Sequence, residues 1–259
     1  MTAVDEGAAR RRAQEDLQTA SDALVSDVRA RHPGEDLNCP HLRRIERALE
    51  RLGVREPASA RADAATCDWY RANAAAYASE TLGIDMKAKQ SEFVRAVGRG
   101  GRALDLGAGS GRDAVAFREA GLEVTAVDAC EAMAAVCSYH TGHPVTVMDA
   151  VDVGVMGRDL FEGVWASAVL LHLEESGVER ALAGIGRVLA PGGVAFVSFK
   201  AGDGMWRDSR GRLFNGMSES RLREIVARVG GIEIENAWRE GDVAGRADAW
   251  LVAWLRASI

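Results

Sequence analysis

The chain has 259 residues, 47 % hydrophobic and 27 % charged, with a formal net charge of −6. That balance excludes a disordered or fibrous chain and gives enough apolar surface for a sizeable core without disulfides or metals. The acidic excess weighs against a dedicated nucleic-acid binder, no stretch is long and apolar enough for a membrane span, and the polar start has no secretory core, so the expected location is the cytoplasm.

Cys39, Cys67, Cys130 and Cys137 form no CxxC pair, which predicts reduced thiols and no bound metal. The first fifteen residues carry no apolar stripe. Leu17, Ala20, Leu24, Val25 and Val28 then recur at helical spacing until Arg31-His32-Pro33-Gly34 breaks the pattern. A second helix is expected from Asn38-Cys39-Pro40, with a stripe of Leu42, Ile45, Leu49 and Leu52. Arg43, Arg44, Arg47 and Arg51 form its other face, which is a solvated face or a basic docking surface. Two further helices are expected over Asp68–Tyr77 and Leu82–Val97.

Gly98, Gly100 and Gly101 punctuate the chain, and a new rhythm follows. Short apolar strands are read at Ala103–Leu106, Val124–Val127, Val145–Met148, Val164–Ala168 and Val194–Phe199. Helices fall between them at Asp113–Ala120, Glu131–His140 and Glu175–Leu189. A last helix, Glu219–Val229, precedes strands Ile232–Trp238 and Ala249–Leu255. Such alternation implies a parallel sheet with helices on both faces. The expected division is a helical extension over residues 1–98 and an α/β domain over 99–259.

Gly107-Ala108-Gly109-Ser110-Gly111 follows the first of these strands and opens a helix. Glycines there permit positive φ and close approach of a ligand to unpaired helix N–H groups. Asp128 lies 21 residues after Gly107, at the tip of the next strand, where an acid suits two ribose hydroxyls. A dinucleotide fits less well. Arg112 stands where the GxGxxG fingerprint wants its third glycine, and Asp105 is misplaced beside a diphosphate but well placed near a cationic amino acid. An adenosyl amino acid explains the loop better than NAD.

From Arg102 to Leu255, about 60 % of the chain, the sequence resembles the class I S-adenosylmethionine-dependent methyltransferase family. The likeness rests on Leu104-Asp105-Leu106-Gly107-Ala108-Gly109-Ser110-Gly111, Val127-Asp128-Ala129, Met148-Asp149-Ala150, Phe161–Ser167 and Leu189-Ala190-Pro191-Gly192-Gly193, in that order. It implies an α/β fold: a Rossmann-like, mostly parallel seven-stranded sheet with an antiparallel last strand. It implies S-adenosylmethionine as co-substrate, with no metal. By position, Asp105, Gly107, Ala108, Gly109 and Arg112 would surround the methionine part. Asp128 and Ala129 would hold the ribose, Asp149 and Ala150 the adenine, and Ala166 the floor beneath the sulfonium. A looser resemblance, through Ser198-Phe199-Lys200, Asp208, Gly211-Arg212 and Phe214-Asn215, links the chain to small bacterial methyltransferases related to those of tellurite resistance. In that subgroup a helix with a pattern like Tyr70, Asn73 and Tyr77 closes over the cofactor, which makes Tyr70 and Tyr77 further cofactor candidates.

His172 follows the fourth strand at the sheet edge where ligands sit, and is the candidate catalytic base. Lys200, Trp206 and Arg207 lie on the loop after the fifth strand and are candidates for the substrate. The leading expectation is methylation of a small molecule at N, O or S. Methylation of RNA or protein, and a non-methylating use of the same cofactor, are the alternatives. The N-terminal helices suit a lid or a homodimer contact.

Overall fold

The computed structural model describes residues 61–245 and 249–258. The two helices expected before residue 53, their arginine face and Cys39 lie outside the described residues. Helix α1 (Ala64–Thr81) and helix α2 (Lys87–Val97) come first. The chain then runs β1 (Arg102–Leu106), α3 (Arg112–Glu119), β2 (Glu123–Asp128), α4 (Glu131–Thr141), β3 (Thr146–Val147) and β4 (Phe161–Ala166). It continues with α5 (Glu175–Val188), β5 (Leu189–Lys200), β6 (Gly204–Arg207), β7 (Leu213–Gly216), α6 (Glu219–Val229), β8 (Ile232–Gly241) and β9 (Ala249–Ala257). One compact unit spans Ser59–Ile259, so α1 and α2 pack within the same unit as the strands.

Seven strands form one sheet in the order β3-β2-β1-β4-β5-β9-β8. Strands β1 to β5 pair in parallel, and β9 runs antiparallel to both β5 and β8. The expected Rossmann-like sheet with an antiparallel last strand is therefore present. The chain order reverses between β1 and β4, which opens the crevice where ligands of such sheets bind.

Period-2 alternation sorts the core onto two faces. Leu104, Leu106, Val164, Ala195 and Val197 bury one face with α5 and α6. Ala103, Trp165, Val194 and Phe196 bury the other with Phe93 and Phe117. Trp165 stacks on Phe196 at 3.9 Å between ring centroids, with Phe93 and Phe117 set at an angle against it. Gly163 lets α2 approach this closely, because a Cβ there would overlap Val97 and Phe93.

The same face contains a buried charge. Asp113, in the first turn of α3, accepts hydrogen bonds from Gln90 of α2 (2.6 Å), the Trp165 indole of β4 (3.0 Å) and both Nε (3.0 Å) and Nη2 (2.7 Å) of Arg112. The positive end of the helix favours a carboxylate at this position.

The structure departs from expectation in three places. A turn at Leu82–Asp85 separates α1 from α2, and Asp85 Oδ1 accepts the Lys87 amide at 3.0 Å, so the helix begins later than Leu82. The segment after β5 folds into a hairpin, β6 with β7, closed by Gly211 at φ 83° and the Asp208 side chain. The fourth strand ends at Ala166 because Ala168 takes a positive φ of 55°.

Removing the Asp113 carboxylate strands two neutral donors, Gln90 and Trp165, and the Arg112 guanidinium in a buried site. Asp113→Ala should lower unfolding free energy by about 3–5 kcal/mol, as breaking a buried charged pair does. Urea denaturation measures this, and a loss under about 1 kcal/mol would refute the role given to Asp113.

Candidate active site

Two adjoining cavities lie at the carboxyl edge of the sheet. The smaller, about 110 Å³, is lined by Asp128, Ala129, Met133, Met148, Asp149 and Ala150 and closed by Cys67, Tyr70 and Tyr77 of α1. The larger, about 580 Å³, extends from Arg112 to β7, β8 and Trp250. They share Gly107, Gly109, Tyr70, Tyr77, Ser167, Ala168 and His172.

The glycine loop forms the common floor. Gly107, Gly109 and Gly111 have φ of 74°, 55° and 82°, a region side chains rarely enter. A Cβ on Gly107 would overlap Val169, whereas the nearest atom to one on Gly109 is the Gly107 carbonyl at 3.8 Å. Gly109 thus presents bare backbone to both cavities. Its amide donates to Asp128 Oδ2 at 2.9 Å, and the Cys130 amide donates to Oδ1 at 2.9 Å. Asp149 caps the turn after β3, accepting from Val151 (3.2 Å) and from the Ala62 amide (2.8 Å). Burial raises the pKa of both acids. It raises that of Asp105 furthest, with Asp113 adding to the effect. Asp105 is buried behind the loop, lines neither cavity, and its Oδ2 has no hydrogen-bond partner.

A hydrogen-bond chain forms the wall opposite. His172 Nδ1 lies 2.6 Å from the Leu213 carbonyl and Nε2 lies 3.0 Å from the Tyr70 hydroxyl. A carbonyl only accepts, so Nδ1 carries the proton. Burial lowers the imidazole to about 4 and keeps it neutral, which leaves Nε2 to accept from Tyr70. Arg212 Nη1 then donates to the Tyr70 oxygen at 3.2 Å. The Leu213 amide donates to Thr66 Oγ1 at 2.8 Å, tying α1 again to β7.

The charged groups of the larger cavity are paired. Arg112 meets Asp113, and Arg212 meets Asp208, each at 2.7 Å. Lys89 meets Glu240 at 2.8 Å. Lys200 lies 3.8 Å from Asp242 and 4.1 Å from the Trp250 ring centroid, and Arg210 lies 3.6 Å from Glu80. Arg212 is also stacked within 4.5 Å of the Trp69 centroid and 5.2 Å of that of Phe214.

The expected site residues are thus unevenly placed. Gly107, Ala108, Gly109, Arg112, His172, Lys200 and Trp206 line the larger cavity. Asp128, Ala129, Asp149 and Ala150 line the smaller, and Tyr70 and Tyr77 line both. Ala166 is fully buried beneath them. Arg207 lines neither; Asp63 holds its guanidinium with two 2.8 Å hydrogen bonds. Lys89, Glu240, Asp242 and Trp250 also line the larger cavity and were not foreseen as site residues, since they come from separate elements and carry no local motif; Ser198, near the expected Lys200, lines it as well.

Residues 104–197 match the family model described as a methyltransferase domain. Among solved structures, the chain is similar to a 1,6-didemethyltoxoflavin N1-methyltransferase from Burkholderia thailandensis, solved with 1,6-didemethyltoxoflavin and S-adenosylhomocysteine. Identity is 23 %, the TM-score 0.64, and the match covers 76 % of this chain and 88 % of that one. It is similar to a TehB-like methyltransferase from Corynebacterium glutamicum at 24 % identity and TM-score 0.56, covering 76 % of this chain and 100 % of that one. It also matches the [4+2]-cyclase SpnF at 19 % identity and TM-score 0.55, covering 66 % and 80 %. No match is found among curated proteins. The family match identifies a methyltransferase domain over residues 104–197, and the solved structures share its Rossmann-like fold. No helix among the described residues is long and apolar enough to cross a membrane, and no group of three or more His, Cys, Asp or Glu there could hold a metal ion.

His172 titrates near 4 in the fold and near 6.5 when unfolded. The unfolded state therefore binds its proton first, and stability falls as pH drops from about 6.5 to 4. The total is on the order of 3 kcal/mol, at 1.36 kcal/mol per pKa unit. Asp105, Asp128 and Asp149 push the other way, so the effect is read as wild type minus His172→Phe in urea titrations across pH 4–8. A flat difference would refute the buried, neutral assignment.

Proposed function

We propose that the enzyme transfers a methyl group from S-adenosylmethionine to a small molecule held in the larger cavity. The observation that carries this reading is the pair of cavities meeting at Gly107 and Gly109, one lined by two carboxylates and methionines, the other roomy enough for a ligand.

The residues present fit the cofactor. Asp128 uses one lone pair on each oxygen for the loop, and a carboxylate has about four acceptor sites, so capacity remains for ribose hydroxyls. Asp149 and Ala150, with Met133 and Met148, form a slot for a purine. Bare backbone at Gly107–Gly109 and the Arg112 side chain suit the amino-acid end, while Asp105 acts from behind the loop. Tyr70 and Tyr77 form the lid.

The cofactor supplies an electrophilic methyl when bound. The chain supplies alignment and exclusion of water. His172 fits that role better than the role of general base. An imidazole held to about 4 is three units too acidic for a base at neutral pH, and its free lone pair already receives the Tyr70 proton. We assign it to orienting Tyr70. Lys200 and Trp206 face the acceptor, and Arg207 fastens the lid to β6 through Asp63.

The Burkholderia enzyme, solved with a small-molecule ligand beside S-adenosylhomocysteine, supports the small-molecule reading. The cyclase likeness favours a second one, in which the same fold serves a different reaction. Calorimetry with S-adenosylhomocysteine and mass analysis of turnover with S-adenosylmethionine separate them. Asp128→Ala should weaken S-adenosylhomocysteine roughly tenfold or more, because hydrogen bonds to a charged group contribute about 1.5–3 kcal/mol. Tyr70→Ala and Tyr77→Ala should each weaken it too. Unchanged affinity in Asp128→Ala would overturn the cofactor placement.

A further inference from the structure

We infer that the acceptor is an uncharged, flat aromatic or heteroaromatic molecule. The inference rests on reading the larger cavity as the acceptor site.

Six of the fifteen aromatic residues line that cavity: Tyr70, Tyr77, Phe196, Trp206, Phe214 and Trp250. Trp206 stands at its rim, 40 % exposed, where a large ring would ordinarily be covered. Its position is fixed all the same. The ring lies parallel to Phe214 at 5.8 Å, tilted by 14°, and rests over Gly216, where a Cβ would come within 2.9 Å of Trp206 Cζ3. Val243, 47 % exposed, lies on the same cavity. Rigid aromatic plates bind flat rings with little loss of side-chain freedom, and ring pairs gain about 0.5–1.5 kcal/mol beyond the area they bury.

Charge decides the second half. Among the described residues, five cations and five acids line the cavity, and the five ion pairs given above match each cation with an acid of the same wall. His172 adds no charge. A carboxylate or phosphate on the acceptor would have to displace an acid from its partner or enter without a counter-charge, and an unpaired charge taken out of water is strongly disfavoured. A neutral ring meets no such penalty. On methylation its nitrogen or oxygen gives a lone pair to the new bond, the pair of the broken methyl–sulfur bond stays on sulfur, and the heteroatom's proton leaves to water.

The test uses the full chain loaded with S-adenosylhomocysteine and four probes: 2-naphthol, its 6-carboxylate, 2-naphthyl phosphate and the saturated decahydro-2-naphthol. Ligand-observed NMR titration should show 2-naphthol binding at least tenfold tighter than the other three. Trp206→Ala should cut 2-naphthol affinity about tenfold and leave the saturated probe unaffected. Glu240→Gln releases Lys89, and the carboxylate should gain several-fold relative to 2-naphthol in that variant. Equal or tighter binding of an anionic or saturated probe overturns the inference, and so does absence of 2-naphthol binding at millimolar concentration to enzyme that holds S-adenosylhomocysteine. Failure of S-adenosylhomocysteine itself to bind overturns the reading of the site as well.

Discussion

The Asp113 carboxylate is the constraint on which the site depends. It sits two residues after the glycine loop and binds α2, the central strand β4 and its own neighbour Arg112 in a single buried cluster. The three glycines make the loop deformable, since each has φ values open to few other residues. Something must select one conformation from the many available. The paired Asp113 does so from below. It fixes where α3 begins, and with it the direction of the amides that face the cavities. Arg112 is thereby turned into the cavity wall with its charge already matched. A buried ion pair is weak evidence for stability, but here its contacts reach three separate elements, and it settles their relative positions.

A second set of bonds links the two cavities to each other. Helix α1 covers the smaller, while β7 borders the larger; Thr66 bonds β7 directly, Tyr70 reaches it through His172, and Asp63 at the start of α1 holds Arg207 of β6. The contributions differ in weight. Arg207 is about half exposed, so its pair with Asp63 is screened and contributes little. The Tyr70–His172–Leu213 chain is buried, and each missing partner there would leave a polar atom dry. Helix α1 over the smaller cavity therefore rests chiefly on groups that also line the larger one. Occupancy of one compartment bears on the geometry of the other.

The sheet was legible in the sequence because it is local. Each strand is a short apolar run, each helix lies next to it, and the glycines mark the turns. Helix Glu219–Val229 is found at its expected bounds. The acids at the strand tips were legible for the same reason, as each follows its strand directly. What escaped was assembled from distance. Lys89 and Glu240 are neighbours across the cavity from opposite ends of the domain, and no local pattern announces them. The β6–β7 hairpin escaped because its Gly, Asp and Arg residues read as loop, although Trp206 pairs with Phe214 across it. Arg207 looked like a substrate contact from composition; its partner, Asp63, lies 144 residues earlier.

The acidic surface and the neutral cavity bear on the acceptor from opposite directions. A net charge of −6 creates a field that discourages polyanions from approaching. Inside, matched pairs leave no surplus positive charge to reward one that arrives. The arginines at this edge of the sheet are paired: Arg112, Arg212 and Arg210 with acids of the cavity wall, Arg207 with Asp63. Aromatic faces remain as the chief feature able to select a ligand. A methyltransferase with a weakly basic, buried histidine also has little means of activating a poor nucleophile. Selectivity and rate then draw on the same source, the fit of a flat ring whose own heteroatom is nucleophilic enough to react once it is aligned.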